Sequence, residues 1–157
     1  MQIDNDVEFK ISKNLVDYDT AIKLMNSHIN KMRKKKAKEM LWFLEHNSIF
    51  TAGTSAKEID QNIKNKKLIR YVGRGGQWTW HGPGQRVVYI MLDLKQREKD
   101  IKKFINNLEQ WIMLTLNIFN INAVLQKGNP GIWIKKNNAF FKIASIGVRI
   151  SNWITWH

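Results

Sequence analysis

The sequence predicts an α+β domain in which a mixed β-sheet is flanked by helices. Short apolar runs of strand length, some alternating and some continuous, recur along the chain, and such runs predict strands that are half buried or fully buried. Between them lie two longer segments whose apolar residues recur every three or four positions, the period of an amphipathic helix. The chain length of 157 residues predicts a single domain over residues 1–157.

The first half of the chain predicts a strand, a helix and three further strands. Residues 7–11 alternate between apolar and charged side chains, which favours a first strand, and residues 17–36 show the helical period. The stripe that this helix should bury consists of Ile22, Met25, Ile29 and Met32. The strands expected next are 40–44, buried on both faces, 49–51 and 68–72, with a polar, lysine-rich loop over 55–67 before the last of them.

The second half predicts a strand, a long helix and a hairpin. Residues 87–92 should form a second central strand, and Asp100 should cap the helix that follows. The apolar stripe of this helix is Ile101, Phe104, Ile105, Leu108, Trp111, Ile112, Thr115, Leu116 and Phe119. After it we expect a strand over 121–125, a turn over 128–131, a hairpin with arms 132–134 and 140–150 around Asn137-Asn138, and the start of another strand over 152–157.

The strongest candidate for function is the segment from Arg74 to Gln85, which we call the glycine loop. Four of the nine glycines and one of the two prolines of the chain lie in it. Glycine allows positive φ and close approach of a ligand to the backbone, and proline stiffens a turn. The loop also carries an arginine, two tryptophans, a threonine and a histidine. This combination predicts a preformed pocket wall, and the alternative is a tight hairpin whose tryptophans belong to the core.

Three other places could carry chemistry. Glu45 and His46 end a buried strand, where they could act as a general acid/base pair or form a hydrogen-bonded structural pair. Lys142 lies in an apolar strand pattern, either on the solvent face or as a partly buried ammonium of the kind that functional sites use. The backbone N–H groups of Ser145 to Gly147 could stabilise an oxyanion. The scattered histidines and the absence of a GK[ST] ending predict neither a metal site nor a nucleotide-phosphate site.

Composition sets further limits. The sequence contains no cysteine, so it offers no disulfide and no thiolate nucleophile. The net charge of +13 favours polyanionic partners, although the densest run, residues 31–38, also suits a solvated helix end. No apolar stretch approaches the length that spans a bilayer, and residues 1–6 lack a signal-peptide pattern, so we expect a cytoplasmic protein with no membrane partner.

These segments together resemble the lipoyl(octanoyl) transferases, the lipoate–protein ligase B family. The glycine loop is similar to that family's RGGxxTxHGPGQ signature, and the resemblance extends over nearly the whole chain in the same order. The other matching segments are Glu45-His46 with Thr51 and Gly53 (EHxxxxTxG), Leu92-Asp93-Leu94, Gly131-Ile132-Trp133 (PGVW), Lys142 to Arg149 (KIASIGVR) and Thr155-Trp156-His157 (TxHG).

The resemblance implies the fold of the lipoate and biotin protein ligase catalytic domains and an octanoyltransferase that needs no ATP and no cofactor. The octanoyl group would pass from acyl carrier protein, through a cysteine thioester, to a lysine of the lipoyl-carrier domains of 2-oxoacid dehydrogenases or the glycine cleavage system. Lys142 would then favour the thiolate of that cysteine. The substrate contacts that the resemblance implies are Arg74, Gly75, Gly76, Gln77, Trp78, Thr79, Trp80, His81, Ser145, Ile146 and Gly147.

The sequence departs from the family pattern in one respect. The family's cysteine follows the TxHG segment, whereas this sequence contains no cysteine and its match ends at His157. We therefore expect an incomplete domain that lacks the C-terminal strands, is inactive alone, and exposes Trp153, Ile154 and Trp156 at a sheet edge. A rewired enzyme would need Ser145 as its nucleophile. Two alternatives belong to other classes: a basic module that binds nucleic acid or an acidic carrier protein, and an ATP-dependent ligase. The HGPGQ segment argues for the transferase. Nucleic acid is therefore not the expected partner.

Overall fold

The computed structural model describes residues 7–57 and 68–157. Most of the loop predicted over 55–67 lies outside the described residues. The elements, in chain order, are β1 (Val7–Ile11), α1 (Tyr18–Arg33), β2 (Glu39–Leu44), β3 (Ile49–Ala52), β4 (Ile69–Tyr71), β5 (Trp78–His81), β6 (Val87–Met91), a 3₁₀ helix (Leu94–Gln96), α2 (Ile101–Ile118), β7 (Ala123–Gln126), β8 (Asn129–Lys136), β9 (Ala139–Ala144), β10 (Arg149–Ser151) and β11 (Ile154–Trp156). The predicted α+β class is confirmed, with the strands distributed over small sheets.

The elements fall into two compact units. The small unit covers Lys99–Ile146 and holds α2, β7, β8 and β9. The large unit holds the remaining elements, from the described residues of Gln2–Glu98 together with Gly147–His157. Among the described residues, no helix combines the length and the apolar character that crossing a membrane requires.

The large unit is built on a three-stranded sheet in the order β1-β2-β6. Strand β1 runs parallel to β2, and β6 runs antiparallel to it. Strand β2 is central and almost wholly buried, as its continuous apolar run predicts. Strand β6 is an outer strand of this sheet, so the prediction of a second central strand is wrong. One face of the sheet packs on α1 in a core formed by Ala21, Met25, Ile29, Met32, Met40, Trp42, Leu44, Tyr89, Met91 and Ile154.

Helix α1 begins where the sequence predicts and ends earlier. The Asp17 side chain accepts a hydrogen bond from the backbone N–H of Thr20 at 2.8 Å, which satisfies one of the free donors at the helix start. At the other end Lys34 caps the helix and Lys35 adopts a left-handed φ of 55°. Because a left-handed residue cannot continue a right-handed helix, the last helical residue is Arg33, not Lys36.

A second mixed sheet of the large unit has the order β4-β3-β5. Strand β3 pairs in parallel with β4 and antiparallel with β5, so that Thr51 lies opposite Thr79. Strand β5 consists of residues from the middle of the glycine loop, which therefore contains a strand and is not a loop throughout. Aromatic and β-branched residues suit a pleated strand, and three of the four residues in Trp78–His81 are of these kinds.

Strands β10 and β11 form an antiparallel pair that closes the large unit. Ile154 is buried in the core beside α1, and the N–H of Thr155 donates to the carbonyl of Leu92 at 2.9 Å. Trp153 and Trp156 are half-buried. The expectation that this segment exposes an apolar edge is therefore wrong for Ile154, because β11 packs into the existing core.

The small unit is an antiparallel sheet in the order β7-β8-β9 with contacts to α2. Asp100 caps α2 as predicted. The turn between β7 and β8 lies at Lys127-Gly128, with φ of 81° at Gly128, and not over 128–131. The turn at Asn137-Asn138 is confirmed, with φ of 49° and 60°. Strand β9 ends at Ala144, so the predicted arm over 140–150 is interrupted before β10.

The apolar stripe of α2 is buried only in part. Within the helix, only Phe104 and Leu108 are buried, whereas Ile101 and Ile118 are exposed, as is Phe119 at its end. In the sheet, Ile132 of β8 is fully buried. The predicted helix is thus confirmed, but the expected burial of its whole apolar stripe is wrong.

Candidate functional site

The glycine loop belongs to the large unit and is held there by strand pairing and by a hydrogen bond to a carboxylate. Its middle forms β5 against β3, and Gly76 and Gly84 adopt φ of 88° and 85°, the left-handed region in which glycine is favoured. The N–H of Gly84 donates to the Glu45 carboxylate at 2.8 Å. The loop is therefore anchored at its centre by a sheet and near its end by a carboxylate.

Arg74 lies inside the loop and not on its surface. Its side chain is buried, with 7% exposure for the residue. The guanidinium donates to both the carbonyl (2.9 Å) and the hydroxyl (2.6 Å) of Thr51. It also donates to the carbonyl oxygens of Gly75 at 2.9 Å and Gln77 at 3.1 Å. Burial lowers the pKa of Arg74 below its ordinary value. The arginine thus holds the loop backbone in shape from beneath.

Two glycines allow the loop to close over Arg74. A Cβ on Gly53 would lie 2.7 Å from Nη1 of Arg74, closer than side-chain carbons approach other atoms. A Cβ on Gly147 would lie 3.1 Å from Cδ of Arg74 and 3.2 Å from the carbonyl oxygen of Gly75. The structure therefore brings Gly147, one of the backbone positions expected at the site, against the glycine loop. Ser145 and Ile146 belong to the small unit.

His81 is fixed by both of its ring nitrogens. Nδ1 lies 2.6 Å from Oε1 of Gln85, and Nε2 lies 3.2 Å from the hydroxyl of Thr51. Gln85 in turn donates from its amide nitrogen to the carbonyl of Trp80 at 2.9 Å. Burial lowers the pKa of His81 from 6.5 to about 4; the hydrogen bond to Oε1 of Gln85 raises this pKa, whereas nearby His46 and Arg74 lower it further. His81 is neutral at pH 7.

Beside His81 lies a cluster of aromatic side chains with polar groups, which we call the His–Tyr cluster. It consists of the buried Tyr18, His46 and Tyr89 and the half-buried His157. His46 lies 2.7 Å from the carbonyl of Val16 through Nδ1 and 2.8 Å from the Tyr89 hydroxyl through Nε2. Because a carbonyl only accepts, Nδ1 of His46 donates and the tyrosine donates to Nε2. Tyr18 is hydrogen-bonded to Nε2 of His157.

Desolvation keeps this cluster uncharged. Burial lowers the pKa of His46, and it lowers the pKa of His157 to about 4, with Arg74 as the next cause. Burial also raises the pKa of both Tyr18 and Tyr89 above the ordinary range. These shifts follow from the preference of a buried group for its neutral form.

Glu45 and His46 do not form the pair that their adjacency suggests. His46 is fully buried and bonded as above, whereas Glu45 accepts from Gly84 and lies 3.3 Å from Arg86. Successive residues of an extended segment point to opposite sides, which separates the two side chains. The arrangement supports structural roles for both residues.

The two tryptophans of the loop line its surface. Trp80 is 41% exposed, so the alternative in which both tryptophans belong to the core is wrong. Trp78 is half-buried, donates to the carbonyl of Lys57 at 2.9 Å and packs edge-on to Tyr71. They provide apolar surface beside the loop backbone.

Lys142 lies in the small unit on β9. Its side chain is exposed, and Nζ lies 4.8 Å from the centre of the Trp133 ring, a cation–π contact. Gly131 leaves room for its aliphatic stem, since a Cβ there would lie 3.2 Å from Cε of Lys142. Of the two alternatives considered, the solvent-face position is the observed one. Ser145 is exposed in the segment that follows β9.

Sequence reasoning missed Tyr18 and Tyr89 as parts of this region, and it gave Gln85, the last residue of the glycine loop, no role of its own. Tyr89 is the one polar residue in the apolar run Val87–Met91, and a buried tyrosine hydroxyl in such a run requires a partner. That signal could have identified Tyr89. Among the described residues, no group of three or more His, Cys, Asp or Glu side chains is placed to hold a metal ion.

Residues 17–157 match the family model described as the lipoyl protein ligase A/B catalytic domain. An octanoyltransferase of Bartonella quintana is 44% identical over 96% of this chain, which spans 65% of the length of that relative. An octanoyltransferase of Anaplasma phagocytophilum is 42% identical over 97% of this chain and 74% of its own length.

Solved structures share the fold at lower identity. A bi-partite lipoate protein ligase from Thermoplasma acidophilum matches with a TM-score of 0.63 at 15% identity, over 96% of this chain and 60% of that one. P. falciparum LipL1, solved in complex with lipoate, matches with a TM-score of 0.65 at 18% identity, over 96% of this chain and 46% of that one. These likenesses confirm the predicted ligase-type fold.

Proposed function

Because the chain belongs to the lipoyl protein ligase A/B catalytic domain family, and within it to the lipoate–protein ligase B octanoyltransferases, we propose that it serves in octanoyl transfer for lipoate biosynthesis. The donor is octanoyl-acyl carrier protein, and the acceptor is a lysine of a lipoyl-carrier domain. The reaction takes place in the cytoplasm, on the lipoyl domains of 2-oxoacid dehydrogenases or of the glycine cleavage system.

The observation that carries this proposal is the glycine loop held from beneath by the buried Arg74. A binding site is effective when its geometry exists before the ligand arrives, because ordering a mobile loop opposes binding. Four hydrogen bonds from the guanidinium hold Thr51, Gly75 and Gln77 in place. The positive charge beneath the loop also favours an electron-rich group such as a thioester carbonyl above it.

The surface of the loop suits an alkyl chain. Gly75 offers open space, since a Cβ there would meet nothing within 4 Å. Trp78 and Trp80 add apolar wall. In this proposal the octanoyl chain lies along the loop from Arg74 to His81, and the backbone of Ser145 to Gly147 is kept as a further substrate contact because the family resemblance implies it.

The covalent step needs a cysteine, and the 157 residues contain none. We propose that Lys142 stabilises a thiolate supplied from outside these residues, because an ammonium near a thiol lowers the thiol pKa. The chain by itself would then bind the octanoyl donor without forming a thioester.

The charge of the chain suits acidic carriers. At the end of α1, exposed cations follow one another at Lys31, Arg33, Lys34, Lys35 and Lys36. The helix dipole accounts for cations in the last turn only. We propose that this basic end of α1 attracts the acidic surface of a carrier domain, which speeds encounter at low salt.

A titration with octanoyl-acyl carrier protein and with the unacylated carrier tests the proposal. We expect the 157-residue chain to bind the octanoyl form more tightly, and Arg74→Met to remove that preference. Lys57→Met, an exposed cation outside the loop, is the control and should keep it. Equal affinity of the wild type for both carriers would contradict acyl recognition.

Intact mass spectrometry after the same incubation tests the covalent part. We expect no octanoyl adduct on the chain, and an adduct at Ser145 would show that the missing thiol has been replaced.

Tight, salt-dependent and sequence-independent binding of nucleic acid at moderate salt would favour the basic-module alternative.

A further inference from the structure

Gln85 connects the end of the glycine loop to its interior. Its amide nitrogen donates to the carbonyl of Trp80 at 2.9 Å. Because a carbonyl oxygen can only accept, this bond sets the orientation of the amide group. Oε1 of Gln85 must therefore face Nδ1 of His81, at 2.6 Å.

That orientation decides where His81 carries its proton. Oε1 of the amide only accepts, so Nδ1 of His81 bears the hydrogen and Nε2 presents its lone pair. The other tautomer would set two lone pairs against each other across 2.6 Å. Burial also keeps the ring neutral, since the pKa of His81 falls to about 4.

The lone pair of His81 has a matching donor. The Thr51 hydroxyl lies 3.2 Å from Nε2 and already accepts from Nη2 of Arg74 at 2.6 Å. Its own hydrogen has two acceptors within reach, Nε2 of His81 at 3.2 Å and the carbonyl of Thr79 at 3.4 Å, and His81 is the nearer of the two. The four side chains then form a chain in which every donor points the same way: Arg74 to Thr51, Thr51 to His81, His81 to Gln85, and Gln85 to the backbone.

We propose that Gln85 is a positioning residue that holds His81 in the Nδ1–H tautomer and, through Thr51 and Arg74, sets the backbone of Gly75 to Gln77. The assignment of an acyl group to that backbone rests on the proposed function. The direction of the hydrogen-bond chain is independent of the proposed function, because two oxygens that can only accept, Oε1 of Gln85 and the carbonyl oxygen of Trp80, determine it.

Two substitutions at position 85 distinguish an effect of Gln85 on the ring proton of His81 from an effect of its packing. Gln85→Leu keeps the size of the side chain but removes the acceptor, so the proton of His81 should move to Nε2 and point toward Thr51. Gln85→Glu places a carboxylate at Nδ1, so His81 should become protonated on both nitrogens at neutral pH. Gln96→Leu, at an exposed glutamine of the 3₁₀ helix, is the matched control.

Nitrogen-15 chemical shifts of the histidine rings read these states directly in the full 157-residue chain. We expect the wild type and the Gln96→Leu control to show a neutral His81 with its hydrogen on Nδ1. The amide signals of Gly75, Gly76 and Gln77 should move in both Gln85 variants and not in the control. A wild-type His81 with its hydrogen on Nε2, or with a positive charge, would overturn the proposal even if no variant folds.

Binding of octanoyl-acyl carrier protein in the same samples connects the chain to function. We expect Gln85→Leu to weaken that binding about tenfold, the effect of one hydrogen bond lost from the support of the loop. Unchanged affinity together with unmoved loop amides would overturn the positioning role. If the wild type does not prefer the octanoyl form, the proposed function is wrong. The nitrogen-15 shifts of the His81 ring and the amide signals of the loop would still test the role of Gln85.

Discussion

Gly53 lies directly against Arg74: a Cβ added to the glycine would sit 2.7 Å from Nη1 of the arginine and would also clash with the carbonyl oxygen of Gly76. Both neighbours are fixed, one by its hydrogen bonds and the other by the loop backbone. The loop can therefore close over its buried arginine only because position 53 has no side chain.

Gly53→Ala should accordingly destabilise the fold by about 1–3 kcal/mol, the range found when a packed interior is overfilled. Chemical denaturation monitored by fluorescence would measure the loss. Gly75→Ala is the control for stability, because a Cβ at that position meets nothing within 4 Å. Equal losses in the two variants would show that the close packing around Arg74 does not limit stability.

Thr51→Val should destabilise the large unit by about 1–3 kcal/mol, since it keeps the shape of the side chain while leaving buried donors and acceptors without a partner. The hydroxyl that it removes accepts from Arg74 and lies next to Nε2 of His81. Thr54→Val, at an exposed turn position, should change the free energy of unfolding little. Urea denaturation of both variants would compare them, and a neutral Thr51→Val would argue against the hydroxyl as the link.

Stability should fall as the pH drops from about 6.5 to about 4. The pKa of His81 and that of His157 are lowered from 6.5 to about 4 in the folded chain. In that window the unfolded chain binds more protons than the folded chain, so acid favours unfolding, with a slope that approaches about 1.4 kcal/mol per pH unit for each such histidine. The carboxyls Asp17 and Asp19, whose pKa values are lowered below 3.8, add their effect only at lower pH.

His81→Gln should flatten this dependence. A series of urea denaturation curves between pH 4 and pH 7 would measure it for the wild type and the variant. A wild-type stability that stays constant over the window would show that the buried histidines take up protons without unfolding.

Removal of charge at the basic end of α1 should slow association with an acidic carrier. Replacing Lys31, Lys34 and Lys36 together by glutamine should lower the association rate at low salt and reduce its salt dependence. The matched control replaces three exposed lysines of the small unit, Lys102, Lys127 and Lys135, and so makes the same change in net charge. Stopped-flow measurements at several salt concentrations would compare the association rates of the two variants. If the basic end of α1 is the docking surface, only the first variant should associate more slowly; if net charge alone matters, both variants should be slowed equally.

Much of the fold could be predicted because local pattern and burial agree. The alternating strand over 7–11, the buried strand over 40–44 and the cap Asp100 all lie where the sequence predicts them. The predictions that fail concern burial, which depends on the elements that pack against a residue. Burial along α2 is confined to Phe104 and Leu108, and Ile154 is buried although its short strand was expected to be exposed, because packing partners and not periodicity determine burial.

The sequence by itself determined where the candidate site lies and which family the chain belongs to, because glycines, aromatic residues and a histidine occur together in the glycine loop as a pattern that local reading detects. The tertiary structure alone decided that Arg74 supports the loop from within, that Glu45 and His46 have separate partners, and that Gln85 orients His81. Thr51 and Arg74, for example, are 23 residues apart in the chain. Hydrogen bonds in a buried network depend on which donors and acceptors the fold brings within about 3 Å, and neither composition nor spacing contains that information.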